Sequence, residues 1–134
     1  MNDLSDLNDL TYLINGCAMK VHSTLGNGFQ EVIYQRALAI ELERAGIKAK
    51  REVDQVIYYD GIEIGTRRAD FVIGDKLIIE LKALSNLENI HIAQIRNYLV
   101  AYNFPLGLLI NFGANSLQIK RIYNNYNQNY KGLV

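Results

Sequence analysis

Residues 67–82 read Arg-Arg-Ala-Asp-Phe-Val-Ile-Gly-Asp-Lys-Leu-Ile-Ile-Glu-Leu-Lys. Two short runs of β-branched and apolar residues flank the Gly-Asp-Lys at 74–76, which is typical of a turn, so the segment predicts a β-hairpin. Side chains alternate between the two faces of a strand, and Glu80 and Lys82 therefore point the same way. Where Asp70 lies relative to them depends on how the two strands align.

The length of the hairpin loop decides that alignment. A three-residue loop at 74–76 sets Asp70 directly opposite Glu80, whereas a two-residue loop would place the two carboxylates on opposite faces of the sheet. Three-residue loops are common and need a residue in the left-handed region, which Gly74 or Asp75 can supply. We predict the register that brings the two carboxylates together.

Two carboxylates and an ammonium at one end of an apolar hairpin are costly unless they have partners. Hard divalent cations prefer oxygen ligands, and Mg²⁺ typically keeps several waters beside one or two carboxylates. The residues therefore suggest a metal held by Asp70, Glu80 and the Leu81 carbonyl, with Lys82 orienting a water or stabilising phosphorane charge. The alternative is a surface hairpin in which Lys82 pairs with Glu80, and the triplet alone favours that alternative.

Composition limits the classes of protein to consider. The chain has 134 residues, 49% of them apolar, which is enough for one domain with a core. Its 14 basic and 14 acidic residues balance, so a nucleic-acid surface would have to be local. The single cysteine, Cys17, is expected to be buried filler. With no signal peptide and no long apolar run, we expect a cytoplasmic protein without a membrane partner.

Hydrophobic periodicity and turn residues predict one mixed sheet with helices packed on it, an α/β or α+β domain over residues 1–123. An Asn- and Tyr-rich tail follows at 124–134. The strand that begins at residue 62 is predicted to break near Gly65-Thr66. The predicted helices are 3–25, 30–45 and 89–103, and the predicted strands are 50–59, 62–73, 77–82, 106–112 and 117–123. The helix at 89–103 lies between two strands, which suggests that they are parallel through a right-handed crossover.

Two further pairs of residues lie at helical spacing. Glu31 and Tyr34, three apart at a helix start, share a face, and Glu31 is a candidate third acid for the metal or its water shell. The alternative is a carboxylate favoured by the helix dipole beside a half-buried tyrosine. Gln94 and Tyr98 lie four apart on the helix after the hairpin. Gln94 could bond a phosphate or Lys82, and Tyr98 could stack or bond a phosphate; alternatively both are structural polar positions.

Basic residues are concentrated in two short stretches. The first stretch contains Lys48, Lys50 and Arg51, and the second contains Arg67 and Arg68. The two arginines immediately precede Asp70 and could meet phosphates near a metal. The alternative is a solvated face balanced by Glu52 and Glu63.

Several blocks of this sequence, taken together and in order, resemble the GxxExxY family. The blocks are Gly28-x-x-Glu31-x-x-Tyr34 within the run Val-His-x-x-Leu-Gly-x-Gly-Phe at 21–29, Arg68-Ala-Asp70, Ile-Glu-Leu-Lys-Ala at 79–83, Ala-Gln-x-x-Asn-Tyr-Leu at 93–99, and Gly-Leu-Leu-Ile-Asn-Phe at 107–112. The resemblance covers roughly residues 12–123. That family is placed in the PD-(D/E)XK nuclease superfamily, with a restriction-endonuclease-like core.

The resemblance implies a Mg²⁺-dependent nuclease, with Mn²⁺ as a substitute, that hydrolyses phosphodiester bonds of DNA or, less favoured, RNA. By motif position the catalytic residues are Glu31, Asp70, Glu80, Lys82 and Gln94. The metal ligands are Asp70, Glu80, the Leu81 carbonyl and, as an additional acid, Glu31. The substrate-binding candidates are Tyr34, Arg67, Arg68 and Tyr98. A homodimer is expected, because many nucleases of this fold act as dimers to cut two strands.

Two other functions stay open at this point. The same fold can be a catalytically silent module that binds nucleic acid or a protein, because a chain of this size has little room for a separate DNA-reading element. It can also act on another phosphoryl or nucleotide substrate. Fold membership alone does not establish activity.

Overall fold

The computed structural model describes residues 3–124, and each predicted helix and strand is present with ends that differ by at most one residue. The elements are α1 (Asp3–Leu25), α2 (Glu31–Arg44), β1 (Lys50–Tyr59), β2 (Ile62–Ile73), β3 (Leu77–Lys82), α3 (Asn89–Tyr102), β4 (Leu106–Asn111) and β5 (Gln118–Tyr123). The predicted tail lies outside this range from residue 125 onward. Its first residue, Asn124, donates hydrogen bonds to Pro105 O and Leu99 O.

The five strands form one mixed sheet in the order β1-β2-β3-β4-β5. Neighbouring strands are antiparallel except for β3 and β4, which are parallel from Leu77↔Leu106 to Lys82↔Asn111. Helix α3 connects these two strands, as the crossover prediction required. Every residue of β4 is buried, which suits a central strand covered on both faces. The predicted α+β mixed-sheet class is confirmed.

The β2–β3 hairpin has the predicted register. Ile73 pairs with Leu77 and Phe71 pairs with Ile79, so residues 74–76 form a three-residue loop. Gly74 supplies the left-handed conformation, with φ of 58°. Continuing this register by one residue sets Asp70 beside Glu80.

The predicted break in β2 is wrong, because the strand runs without interruption from Ile62 to Ile73. The pairing with β1 instead shifts between Ile57↔Gly65 and Tyr58↔Glu63, which leaves Ile64 as an extra residue. A β-bulge of this kind absorbs one residue and bends the strand without ending the ladder. The Asp60-Gly61 turn has φ values of 54° and 76°, the conformation that a tight hairpin turn requires.

Helices cover both faces of the sheet and define two parts of the core. On one face α1 and α2 pack against Phe71, Ile79 and Leu81. On the other face Ile95 and Leu99 of α3 pack against Ile78 and Leu109. Each fully buried side chain of this kind stabilises the fold by about 1.5–3 kcal/mol. Because side chains alternate along a strand, Glu80 and Lys82 at the end of β3 lie on the same face as Ile78, which is the face covered by α3.

The chain that follows β3 is held by Asn111, whose side chain is fully buried. Its Oδ1 accepts from Leu84 N and Gly113 N at 2.9 and 3.1 Å. Its Nδ2 donates to Leu84 O and Gln118 Oε1, both at 2.9 Å. These four bonds satisfy the buried amide and fix the path of the chain directly after Lys82.

Within residues 3–124 no helix is both long and apolar enough to cross a membrane. Cys17 is buried, as predicted, with Sγ 3.5 Å from Glu41 O. Burial, followed by the charge of Glu41, raises the pKa of the thiol. A raised pKa makes the thiol a poorer nucleophile, which agrees with a packing role.

Candidate active site

Strands β2 and β3 separate just beyond their paired residues, and two carboxylates occupy the fork. The ladder joins residues 71–73 to 77–79. Beyond it, Asp70 Oδ2 accepts from Leu81 N at 2.8 Å, and Asp70 N donates to Glu80 Oε2 at 3.3 Å. Side-chain carboxylates have thus replaced the main-chain partners that a continued ladder would provide. The juxtaposition of Asp70 and Glu80 that the sequence predicted is present.

Gln35 of α2 holds the other oxygen of Asp70. Its Nε2 donates to Asp70 Oδ1 at 2.9 Å, and its Oε1 accepts from Arg51 Nη2 at 3.0 Å. The residue is buried, so both halves of its amide have a partner. Sequence reasoning missed Gln35. The available signal was its position four residues after Glu31, which places both on one face of α2.

Glu31 is the first residue of α2 and is exposed. Loss of solvent around its carboxyl raises its pKa, the charge of Asp70 raises it further, and the charge of Lys82 lowers it. Both groups therefore lie close enough to act on Glu31 electrostatically. The third-acid interpretation stays a prediction, because among the described residues Glu31 does not complete a group of three acids that could hold a metal.

Glu80 is held by an arginine from β2. Arg67 Nη2 lies 2.7 Å from Glu80 Oε2, and the two side chains are only 7% and 16% exposed. Burial raises the pKa of Glu80, Arg67 opposes that shift, and Asp70 adds to it. The guanidinium also lies 3.5 Å from the ring centroid of Tyr98 and donates to Gln55 Oε1 at 2.7 Å. Glu80 does not form an ion pair with Lys82, which the surface-hairpin alternative required.

The two predicted phosphate-binding arginines are both engaged within the protein. Arg67 is buried against Glu80 and the face of Tyr98, a favourable cation–π geometry. Arg68 points to the opposite side of the strand and pairs with Asp54 at 2.9 Å and Glu52 at 3.2 Å. Both guanidinium groups therefore have acidic partners within the protein. For Arg68 the balanced-surface alternative holds in part, because Glu52 is a partner and Asp54, instead of Glu63, is the second one.

Tyr34 is a core residue, which corrects the prediction that it binds substrate. Its side chain is fully buried and stacks on Phe112 with ring centroids 4.8 Å apart. Its hydroxyl donates to Gly26 O at 2.6 Å and accepts from Phe29 N at 3.1 Å. The residues of the Gly28-x-x-Glu31-x-x-Tyr34 pattern therefore have two different roles. The tyrosine fixes the loop before α2, and that loop sets where the glutamate begins the helix.

Lys82 and Gln94 complete the predicted set. Lys82 ends β3, half-buried, on the face that also carries Glu80. Its main-chain carbonyl accepts from Phe112 N at 2.9 Å, which anchors the residue in the sheet. Gln94 is exposed on α3, and its side chain has no hydrogen-bond partner among residues 3–124. Gln94 therefore forms no hydrogen bond with Asp70 or Glu80, and its catalytic role stays a prediction.

The carboxylates fit a hard divalent cation in their chemistry. Residues 3–124 contain no group of three or more His, Cys, Asp or Glu side chains arranged around a common point. Mg²⁺ needs only one or two carboxylates beside its waters, and each carboxylate has about four acceptor positions. Asp70 uses two of these for Gln35 and Leu81. The Leu81 carbonyl faces the same strand edge as its N–H, toward the fork.

Comparison with known proteins identifies the class. The mixed sheet with flanking helices is a restriction-endonuclease-like fold. A solved structure titled "Crystal structure of SSO0001" shares this fold, with a TM-score of 0.57 and 22% identity over 73% of this chain. The chain spans 52% of that structure's length. No curated protein matches.

The family model of the PD-(D/E)XK nuclease superfamily matches residues 8–122, and the chain belongs to this superfamily. Nucleases of this superfamily typically use divalent metal ions such as Mg²⁺. The matched range contains every residue of the fork and all of its partners.

Proposed function

We propose that this protein is a metal-dependent nuclease of the GxxExxY branch that hydrolyses phosphodiester bonds of DNA, with RNA as the less favoured substrate. The observation that carries the proposal is the fork between β2 and β3. There Asp70 and Glu80 meet, with Lys82 on the strand face that carries Glu80. The superfamily match supplies the chemical context.

Within this proposal, Asp70, Glu80 and the Leu81 carbonyl would hold a Mg²⁺ ion, and Glu31 would bind the ion or its waters. When bound, such an ion polarises a phosphoryl oxygen and lowers the pKa of a nearby water. The electrostatics of the site support cation binding. Burial is the first cause of the raised pKa of both Glu31 and Glu80, and Asp70 raises each further. A divalent cation would relieve this mutual repulsion of carboxylates.

Lys82 would supply a positive charge in addition to that of the metal ion. Its ammonium has three donors and no acceptor, which suits it to hold an attacking water or to bond a phosphate oxygen as negative charge develops. In this role Lys82 stabilises the transition state more than the bound substrate, so its loss would lower kcat. Tyr98 and Arg67 would border the substrate if Arg67 moved off Glu80.

The direct test is cleavage of labelled single-stranded, duplex and branched DNA, and of RNA, with Mg²⁺ or Mn²⁺. We expect products from at least one substrate with metal and none after EDTA is added, because the ion is required for the chemistry. Reversal of the EDTA block by excess Mg²⁺ would exclude irreversible damage to the protein. Absence of product from all substrates with both metals would contradict the proposal.

One observation favours a second candidate, a catalytically silent module that binds nucleic acid or a protein. The Arg67–Glu80 ion pair of 2.7 Å already neutralises one proposed metal ligand. A silent module would retain this pair in the presence of Mn²⁺, whereas a nuclease would exchange it for the ion. A homodimer, which would allow two sites to cut two strands, belongs to the nuclease proposal.

A further inference from the structure

A groove of about 980 Å³ lies beside α2, and neither Asp70 nor Glu80 is among its lining residues. It is bounded by the second half of α2, the chain that leads into β1, and Gly74 of the β2–β3 loop. Its volume is at the upper end of the roughly 300–1,000 Å³ typical of ligand pockets. Apolar side chains such as Ile40, Ile47 and Phe71 contribute to its lining.

Four cationic side chains line this groove, and one acid, Glu43, accompanies them. The cations are Arg36, Lys48, Lys50 and Arg51. Among the side chains of residues 6–124, none of the four forms an ion pair with a carboxylate. Elsewhere in the described chain Lys20, Arg44, Arg67 and Arg68 have an acidic partner, whereas Lys76, Lys82, Arg96, Lys120 and Arg121 have none and do not line this groove. Since the whole chain is formally neutral, this concentration of unpaired positive charge is local.

Charge complementarity selects an anionic occupant. Positive groups lining one concave surface raise the local concentration of anions and focus the field between them. Phosphate groups of a nucleic-acid backbone are matched by Lys and Arg in a way that does not depend on base sequence. The apolar part of the lining can accept sugars and bases between the phosphates.

The groove is connected to the candidate active site. Arg51, one of its four cations, donates to Gln35, and Gln35 donates to Asp70. Two hydrogen bonds therefore separate the charged wall of the groove from the proposed metal ligand. A strand lying in the groove would approach the fork from the side of α2.

We propose that this groove, lined by Arg36, Lys48, Lys50 and Arg51, binds the phosphate backbone of a nucleic-acid strand that flanks the cleavage position. The identity of the ligand rests on the proposed nuclease function. The groove would supply binding independent of sequence, which the neutral chain as a whole lacks. An acidic protein segment is the competing occupant.

The test compares two charge reversals of equal size by fluorescence anisotropy. Labelled single-stranded and duplex DNA and RNA are titrated with protein in EDTA, so that binding is measured without cleavage. Lys48→Glu removes a cation from the groove, while Lys120→Glu reverses an exposed cation on β5, at the opposite edge of the sheet. We expect Lys48→Glu to weaken binding about tenfold at 0.1 M salt, and Lys120→Glu to leave it nearly unchanged.

The salt dependence provides a second readout. The double variant Lys48→Ala/Lys50→Ala should reduce the slope of log K against log salt by about one to two, one for each lost phosphate contact. Circular dichroism verifies that these exposed substitutions leave the fold intact. Equal affinity of the Lys48→Glu and Lys120→Glu variants, or an unchanged slope, would overturn the proposal. Binding of labelled polyglutamate, combined with no binding of any nucleic acid, would also overturn it.

Failure of this inference is distinguishable from failure of the nuclease proposal. Cleavage with Mg²⁺, combined with equal binding by the two charge-reversal variants, would retain the nuclease and reject the groove. Binding that depends on Lys48, combined with no cleavage of any substrate, would support the groove and reject the nuclease. Cleavage is measured on the wild-type protein with metal, and binding is measured on the charge variants in EDTA, so neither result is inferred from the other.

Discussion

Asp70→Asn is expected to lower metal-dependent cleavage by at least about 10²-fold, because the amide retains the shape of the carboxylate and loses its charge. The neutral side chain can still accept one hydrogen bond, from Leu81 N or from Gln35 Nε2. The affinity for Mn²⁺ should fall with the activity. Steady-state cleavage and a Mn²⁺ titration measure the two effects on the same protein.

Asp75→Asn is the matched control for this substitution. Asp75 lies exposed in the β2–β3 loop, at the far end of the hairpin from the fork. The chemical change is identical, so we expect wild-type cleavage and metal affinity. Cleavage by Asp70→Asn at the rate of Asp75→Asn would contradict the role assigned to Asp70. A urea denaturation curve shows whether any loss reflects unfolding instead.

Gly113→Ala is expected to destabilise the protein by about 2–3 kcal/mol. A Cβ at this position would lie 2.4 Å from Leu84 N and 2.5 Å from Ala83 C. These are main-chain atoms of the segment that directly follows Lys82, and Asn111 holds that segment in place. The segment cannot move aside without losing those bonds, so the cost should appear in the free energy of unfolding measured with urea.

Gly16→Ala is the matched control for the glycine substitution. Gly16 is exposed within α1, and an added Cβ there meets no atom within 4 Å. In an exposed helix interior, alanine is more favourable than glycine by about 0.5–1 kcal/mol, so this variant should be more stable than the wild type. If Gly113→Ala were as stable as the wild type, the close approach of these two chain segments would be wrong.

The hairpin could be predicted because its constraints are local. Strand alternation has a period of two, so the loop length alone decided whether Asp70 and Glu80 share a side. Gly74 offered the conformation that the three-residue loop needs, and the structure uses it. The bulge at Ile64 is also a local feature, but Gly65-Thr66 is compatible with either a break or a bulge.

Partners that are distant in sequence could not be predicted. Tyr34 is buried because Phe112, far along the chain, stacks on it. Glu80 pairs with Arg67 instead of the nearby Lys82, because Arg67 lies on the neighbouring strand and its long side chain reaches across. Gln35 acquires its role only when α2 lies against the fork.

The sequence likewise does not show whether a basic residue forms an ion pair with an acidic one. The basic stretches at 48–51 and 67–68 look alike in sequence. In the structure Arg67 and Arg68 are neutralised by acids, whereas the cations at 48–51 line a groove. Arg36 joins that groove from α2, which only the packing of the helix on the sheet could show.

Anomalous scattering from a crystal soaked in Mn²⁺ tests the metal site most directly. We expect a peak at the fork, bonded to Asp70 and Glu80, with Arg67 displaced from Glu80 and Lys82 beside the ion. Absence of a peak at the fork, with the Arg67–Glu80 ion pair intact at saturating Mn²⁺, would contradict the proposed metal-dependent site.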